Sequence, residues 1–235
     1  MAPQHAALDD PAFVDAHSEY LERTAHVSWD GGVTGAARRA VELAGGDVVA
    51  EVLALHRLVG TTMRYVPGST YVGVDIEDVL ARGEGVCQDF AHLAVALCRS
   101  VGIPARYVSG YFFTVDDATG ADTDDNVVHV QTHAWFEAAV PRFGWLALDP
   151  TNQQAVGLRH VKIGHGRDYD DVQPLRGVFA GGAHNDVEVN VEIRRMSVGA
   201  ARPDSRLERR RRSRPMGHAS VADDDLGQQQ QAQQQ

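Results

Sequence analysis

The chain has 235 residues, 43% of them hydrophobic, and a formal charge of −10, the make-up of a globular domain long enough for one sizeable core. No apolar run approaches the ~20 residues that span a bilayer, and two Cys rule out a disulfide framework. Residues 201–235 carry seven Arg and five acids, net +2, which leaves −12 on residues 1–200 and makes that part a poor match for nucleic acid or an anionic membrane.

The start, MAPQHAALDDPAF, has neither a basic nor an apolar leader segment, so a cytoplasmic protein is expected. Asp10 with Pro11 ahead of FVDAHSEYLER predicts a capped helix with Pro at its first position. Thr34 is expected to cap GAARRAVELA, which stops at Gly45 and Gly46, and Asp47 to cap a third helix. Val48, Val52, Leu55 and Val59 share one face of that helix. Tyr65 and Val66 run into a turn at Pro67 and Gly68, and Asp75 caps a short helix through Leu80. A glycine-bearing loop, GEGVCQDF, then opens a helix over 87–101, with Phe90, Leu93, Ala94 and Leu97 as its apolar stripe. Gly102 and Pro104 end it.

Beyond this helix the pattern turns to strands. Residues 105–113 (ARYVSGYFF) are rich in aromatic and β-branched types, and the loop 114–126 holds five Asp. Residues 127–140 read as a strand, 141–144 as a turn, 145–149 as the next strand, and the stretch from Pro150 as a long polar loop. Val187, Val189, Val191 and Ile193 alternate with polar residues, marking a half-exposed strand. Helices first and an antiparallel sheet afterwards predict an α+β fold over 1–199. The charged, Gln-rich segment 200–235 reads as a disordered tail. Its basic run also fits a nuclear address or nucleic-acid arm, but a solvated tail is the favoured reading.

Cys87 stands at a helix start, where unpaired backbone N–H groups and the helix dipole favour a thiolate. Gly83 and Gly85 would leave its sulfur at a surface that substrate can reach. The competing reading is a small thiol packed in the core, which is how Cys98 reads. A thiol nucleophile needs a base and an orienter. His133 lies on a predicted strand, and Asp149 ends the next one. Paired strands sit about 4.8 Å apart, close enough for the two to hydrogen-bond. Taken alone, a His on a strand such as His133 is more often a satisfied structural residue than a base. His129 and His133 are spaced i, i+4, but on a strand that is about 13 Å, too far for one metal ion. No metal or cofactor site is therefore expected. The Asp-rich loop lacks the glutamate and glycine of a calcium loop, Ser109 lacks the first glycine of a nucleophile elbow, and phosphate-binding glycine loops are missing.

Three blocks, GVCQDFAHLAVALCRSVGIPARYVSGYF (85–112), THAWFEAAVPRFGWLALDPTN (132–152) and GRDYDDVQPLRG (166–177), resemble the bacterial transglutaminase-like family of the papain-like thiol enzymes. The likeness spans roughly residues 10–195. It implies a transglutaminase-like core with the nucleophile at a helix start packed on an antiparallel sheet. It also implies Cys87 as nucleophile, His133 as base, Asp149 as orienter, no cofactor, and a protein or peptide substrate. The thioester would be resolved by an amine or by water; the alternatives are a cysteine peptidase of peptide or isopeptide bonds, or a non-catalytic binding module on this fold. The Cys87 backbone N–H is one expected oxyanion donor, with Tyr71 or Gln88 as candidates for the second. Asp89 and His92 are expected to serve packing. Relatives often carry a β-rich region before the first helix, so a missing segment or a partner protein is a further expectation. The acidic loop suggests cationic amine acceptors.

Overall fold

The computed structural model describes residues 4–71, 73–113, 127–129, 132–174 and 191–194. The expectations for the Asp-rich loop, for residues 187–190 and for the tail lie outside the described residues.

Asp10 caps α1 (Pro11–His17) through Ala12 N and Phe13 N, with proline at the first helical position. The second helix, α2 (Gly31–Glu42), starts before the predicted Thr34. Asp30 is its cap, accepting from Gly32 N at 2.7 Å and Val33 N at 3.0 Å, while the Thr34 hydroxyl turns back to the Asp30 carbonyl. A carboxylate there also meets the positive end of the helix dipole, which a threonine cannot match. Asp47 caps α3 (Val48–Thr62) as expected, and Val48, Val52, Leu55 and Val59 are fully buried. Arg64–Tyr65 (β1) pairs in parallel with Glu84–Gly85 (β2), bracketing α4 (Ile76–Arg82). The next helix, α5 (Cys87–Ser100), follows the prediction closely and ends at Gly102, whose φ is +80°.

The main sheet is antiparallel, in the order β7-β6-β5-β3-β8, formed by β3 (Ala105–Phe112), β5 (Thr132–Val140), β6 (Gly144–Asp149), β7 (Gln154–Ala155) and β8 (His160–Gly166). Two expectations need correction. The segment 127–140 does not serve one sheet: β4 (Val127–His129) pairs with β9 (Glu192–Arg194) in a separate ladder, apart from β5. The polar stretch after Pro150 is no loop either, since it contains β7 and β8, the latter paired with β3 along most of its length. Glycines at 164 and 166 and charged or imidazole side chains hide β8 from a pattern search.

Helix α5 is the hub: α2, α3 and α4 pack on it from one side, β3 and β5 from the other. Ala134, Phe136, Ala138 and Val140 of β5 face the buried clusters around it. A buried leucine such as Leu93 or Leu97 in such a core contributes about 2–5 kcal/mol against alanine. On its polar side α5 carries Arg99, 3% exposed, whose guanidinium donates to the carbonyls of Ala105, Glu22 and Arg167. Charge-assisted bonds of this kind are roughly twice as strong as neutral ones, so one side chain ties three chain segments to the helix. Across the sheet, Glu137 accepts from Arg106 Nε at 2.7 Å and from Lys162 Nζ at 2.7 and 2.8 Å. That ion cluster links β8 to β5 over the top of β3.

Candidate active site

Cys87 is the first residue of α5, and the helix's opening backbone bonds run from Asp89 N and Phe90 N to the Val86 carbonyl. The Cys87 N–H thus precedes the first intrahelical bond. Asp89 braces the turn from inside: its Oδ2 accepts from Val86 N at 2.8 Å and from the Thr70 hydroxyl at 2.5 Å. Burial pushes the Asp89 carboxyl up from its ordinary value, and those two donors pull the other way. Gly85 makes this approach feasible, since a Cβ there would sit 2.8 Å from the Asp89 Cβ. The sulfur itself is less open than the sequence suggests: Cys87 is 7% exposed, packed with Ala91, Tyr107, Ala134 and Tyr169. Cys98 is wholly buried, and burial pushes its thiol up to about 12.

His133 stands at the start of β5, next to Ala134 of the Cys87 cluster, and the sulfur is near enough to act on its ring. Nε2 of that ring lies 2.8 Å from Asp149 Oδ2, which leaves Nδ1 for the sulfur. Burial alone would hold the imidazole down. The Asp149 carboxylate on one side and Cys87 on the other reverse that and push it up to about 10. Asp149 is fully buried at the end of β6. Burial would raise its carboxyl, but the bonds from His133, Asn152 and His160 bring it below the usual carboxylate range. The structure therefore brings His133 and Asp149 into a hydrogen bond, with Cys87 beside the imidazole.

The turn after β6 fixes the carboxylate. Asp149 Oδ1 accepts from Thr151 N at 3.0 Å and Asn152 N at 3.1 Å, an Asx turn. The Asn152 amide adds a 2.8 Å bond to Oδ2. Beneath the turn, His56 Nε2 of α3 lies 2.9 Å from the Asp149 carbonyl, and Gln153 Nε2 donates to the carbonyls of Pro150 and His56. Gln153 lies so close over α3 that a Cβ at position 60 would fall 1.9 Å from its side chain. This explains a glycine inside a helix, where it costs about 1 kcal/mol against alanine.

Sequence reasoning missed His160, 3.0 Å from the same Oδ2 and 1% exposed in its side chain. The one available signal was its place in β8, and that strand itself had been read as loop. His133, Asp149 and His160 bring potential ligand atoms within 4.8 Å of one another. Their protons tell against a metal. His160 Nδ1 accepts from Gly157 N at 3.2 Å, so Nε2 carries the proton and donates to Asp149; ligation through Nε2 would require an imidazolate. The trio is a proton network.

Gln88 is buried, while Tyr71 is 60% exposed. His92 accepts from Tyr169 N at 3.2 Å, stacks on His26 with centroids 5.6 Å apart and lies 4.7 Å from the Tyr107 ring. Burial, with His26 and Arg99 nearby, pushes His92 down to about 3, the Asp168 carboxylate opposing. A histidine held neutral in the fold contributes stability that is whole above its unfolded value near 6.5 and lost as pH falls toward 3. Stability should therefore drop by about 1.4 kcal/mol per unit between pH 6 and 4 from this group. In urea titrations across that range, His92→Gln, which keeps an acceptor for Tyr169 N, should flatten the slope; an unchanged slope would refute this account.

A cavity of about 160 Å³ borders the site, lined by Ser109, Gly110, Tyr111, Thr132, Ile163, Gly164, Val172, Gln173 and Pro174, none of them charged. Thr132 precedes His133, Gly110 pairs with it, and Val172 packs against the Cys87 cluster.

Residues 35–150 match the family model of the Transglutaminase-like superfamily, a span that contains Cys87, His133 and Asp149. The domain belongs to the transglutaminase-like superfamily. An uncharacterized protein of Mycobacterium leprae is 37% identical over 190 residues, 81% of this chain and 65% of that protein. A protein-glutamine gamma-glutamyltransferase of Pseudomonas aeruginosa is 38% identical over 71 residues, 30% of this chain and 10% of the enzyme. Among solved structures, a Cytophaga hutchinsonii protein bearing a proposed cysteine-protease name superposes with a TM-score of 0.56 at 29% identity, covering 73% of this chain and 55% of that one. The chain thus spans about two thirds or less of each of these longer relatives. The transglutaminase-like domain here has the helix-plus-antiparallel-sheet α+β architecture expected from its sequence.

Proposed function

We propose that the domain is a thiol acyl-transfer enzyme acting on protein or peptide carboxamides. What supports this reading is the His133–Asp149 hydrogen bond with Cys87 beside the imidazole at a helix start. The Cys87 thiolate attacks the carboxamide carbon, the carbon–nitrogen bond breaks, and the departing amine takes the proton from His133. His133, neutral again, then accepts a proton from an incoming amine or water as that nucleophile attacks the thioester, and the thiolate leaves. Asp149 holds the ring by its Nε2–H and stabilises the imidazolium. The Cys87 N–H supplies one donor to the oxyanion. The cavity beside His133, uncharged in its described lining, suits a neutral side chain such as that of glutamine.

Incubating the protein with a glutamine-containing peptide and a fluorescent primary amine tests this. Attachment of the amine, or conversion of glutamine to glutamate by water, should occur with the native chain and vanish in Cys87→Ala. Cleavage of the peptide backbone instead would make it a peptidase working through the same thioester. If none of these products forms across a panel of peptides, the catalytic reading fails.

A further inference from the structure

We propose that His160 is a positioning residue that tempers the Asp149–His133 couple, taking a share of Asp149 Oδ2 so that the carboxylate does not lock the proton on His133. The inference rests on the reading of His133 as the proton carrier.

Three donors converge on that single oxygen: His133 Nε2 at 2.8 Å, Asn152 Nδ2 at 2.8 Å and His160 Nε2 at 3.0 Å. His160 cannot turn its role around. Gly157 N–H points at its Nδ1, which fixes the proton on Nε2. The ring is held in place by the edge of Trp135 at 5.2 Å and by Phe112 at 4.7 Å, whose ring also lies 5.4 Å from His133. Nor is His160 needed to hold the carboxylate in position. Thr151 N, Asn152 N and the Asn152 amide already fix both oxygens. What His160 adds is electronic: every donor to a carboxylate lowers its affinity for protons, and so weakens its pull on the neighbouring imidazolium. The bond it makes is one of those that lower the Asp149 carboxyl. The ionisable groups facing the couple are Cys87 from α5 and His160 from β8, with His56 of α3 on the Asp149 carbonyl.

Two substitutions separate the bonds of His160. His160→Gln places an amide N–H where Nε2 stands and keeps the donor to Asp149. His160→Asn can still accept from Gly157 N but no longer reaches Oδ2. In full-length protein carrying Cys87→Ser, which removes the sulfur's own titration, the His133 ring is followed by NMR against pH. His160→Asn should raise the His133 midpoint by about one pH unit, and His160→Gln should leave it within about 0.3. A fall or no change in the Asn variant, or equal shifts in both, would overturn the proposal. Should the Asn variant not fold, the ¹⁵N shifts of His160 in the Cys87→Ser protein decide: an Nδ1–H tautomer refutes the arrangement. Neither readout needs turnover, so a failed acyl-transfer assay and a failed titration are separate results.

Discussion

Replacing Asp149 with alanine should lower stability by about 3–5 kcal/mol, the usual cost of stripping a partner from a buried charged network, and should abolish acyl transfer. Five donors lose their acceptor at once: the side chains of His133, His160 and Asn152 and the backbone N–H groups of Thr151 and Asn152. Asp149→Asn is expected to be milder in stability and nearly as damaging in turnover, because Oδ1 can keep its two backbone bonds while an NH₂ now confronts three donors. The pH dependence follows with definite signs. Asp149 titrates below its unfolded value, so its contribution is present above about pH 4 and is lost as pH falls. His133 is raised to about 10, so its contribution is whole below about 6.5 and is lost as pH rises toward 10. Urea titrations of the alanine variant should show the acid dependence gone and the alkaline one reduced to the part that Cys87 supplies. A variant within about 1 kcal/mol of the native protein would mean that the five donors find other partners, contrary to their burial.

Iodoacetamide should modify Cys87 to completion at neutral pH while leaving Cys98 untouched until the chain unfolds. Cys98 is fully buried and its thiol is pushed up to about 12, so at pH 7 only on the order of one molecule in 10⁵ carries the reactive thiolate. Cys87 lies beside the His133 imidazole. Removing that imidazole by His133→Ala should slow alkylation by about 100-fold, within the range attributed to a positioned proton-transfer group. Peptide mapping by mass spectrometry reads both sites in one experiment. Comparable labelling of the two thiols would remove the basis for treating Cys87 as a nucleophile.

Local chemistry explains which parts of this molecule the sequence discloses. Helix starts are written in single residues: Asp10 and Asp47 cap the predicted helices, because a carboxylate ahead of an apolar stripe has few other uses. The choice of Thr34 over Asp30 shows the limit, since both residues cap well and only the run of glycines after Asp30 separates them. Cys87, His133 and Asp149 stand out by residue type, spacing and family likeness. The residues packed around them do not. His160 lies on a strand whose glycines and polar side chains erase the alternating pattern. Gln153 and His56 act through backbone carbonyls, a role that leaves no trace in composition. The separate pairing of Val127–His129 depends on β9, some sixty residues downstream in the chain, and no local window contains that information.

The reach of Arg99 has a consequence for biosynthesis. Its guanidinium binds carbonyls 77 residues before it and 68 residues after it, and the imidazole and carboxylate near Cys87 come from strands made later than α5. A polypeptide still emerging from the ribosome therefore carries Cys87 before β5 and β6 exist, and the sulfur meets those two groups only once both strands have been made.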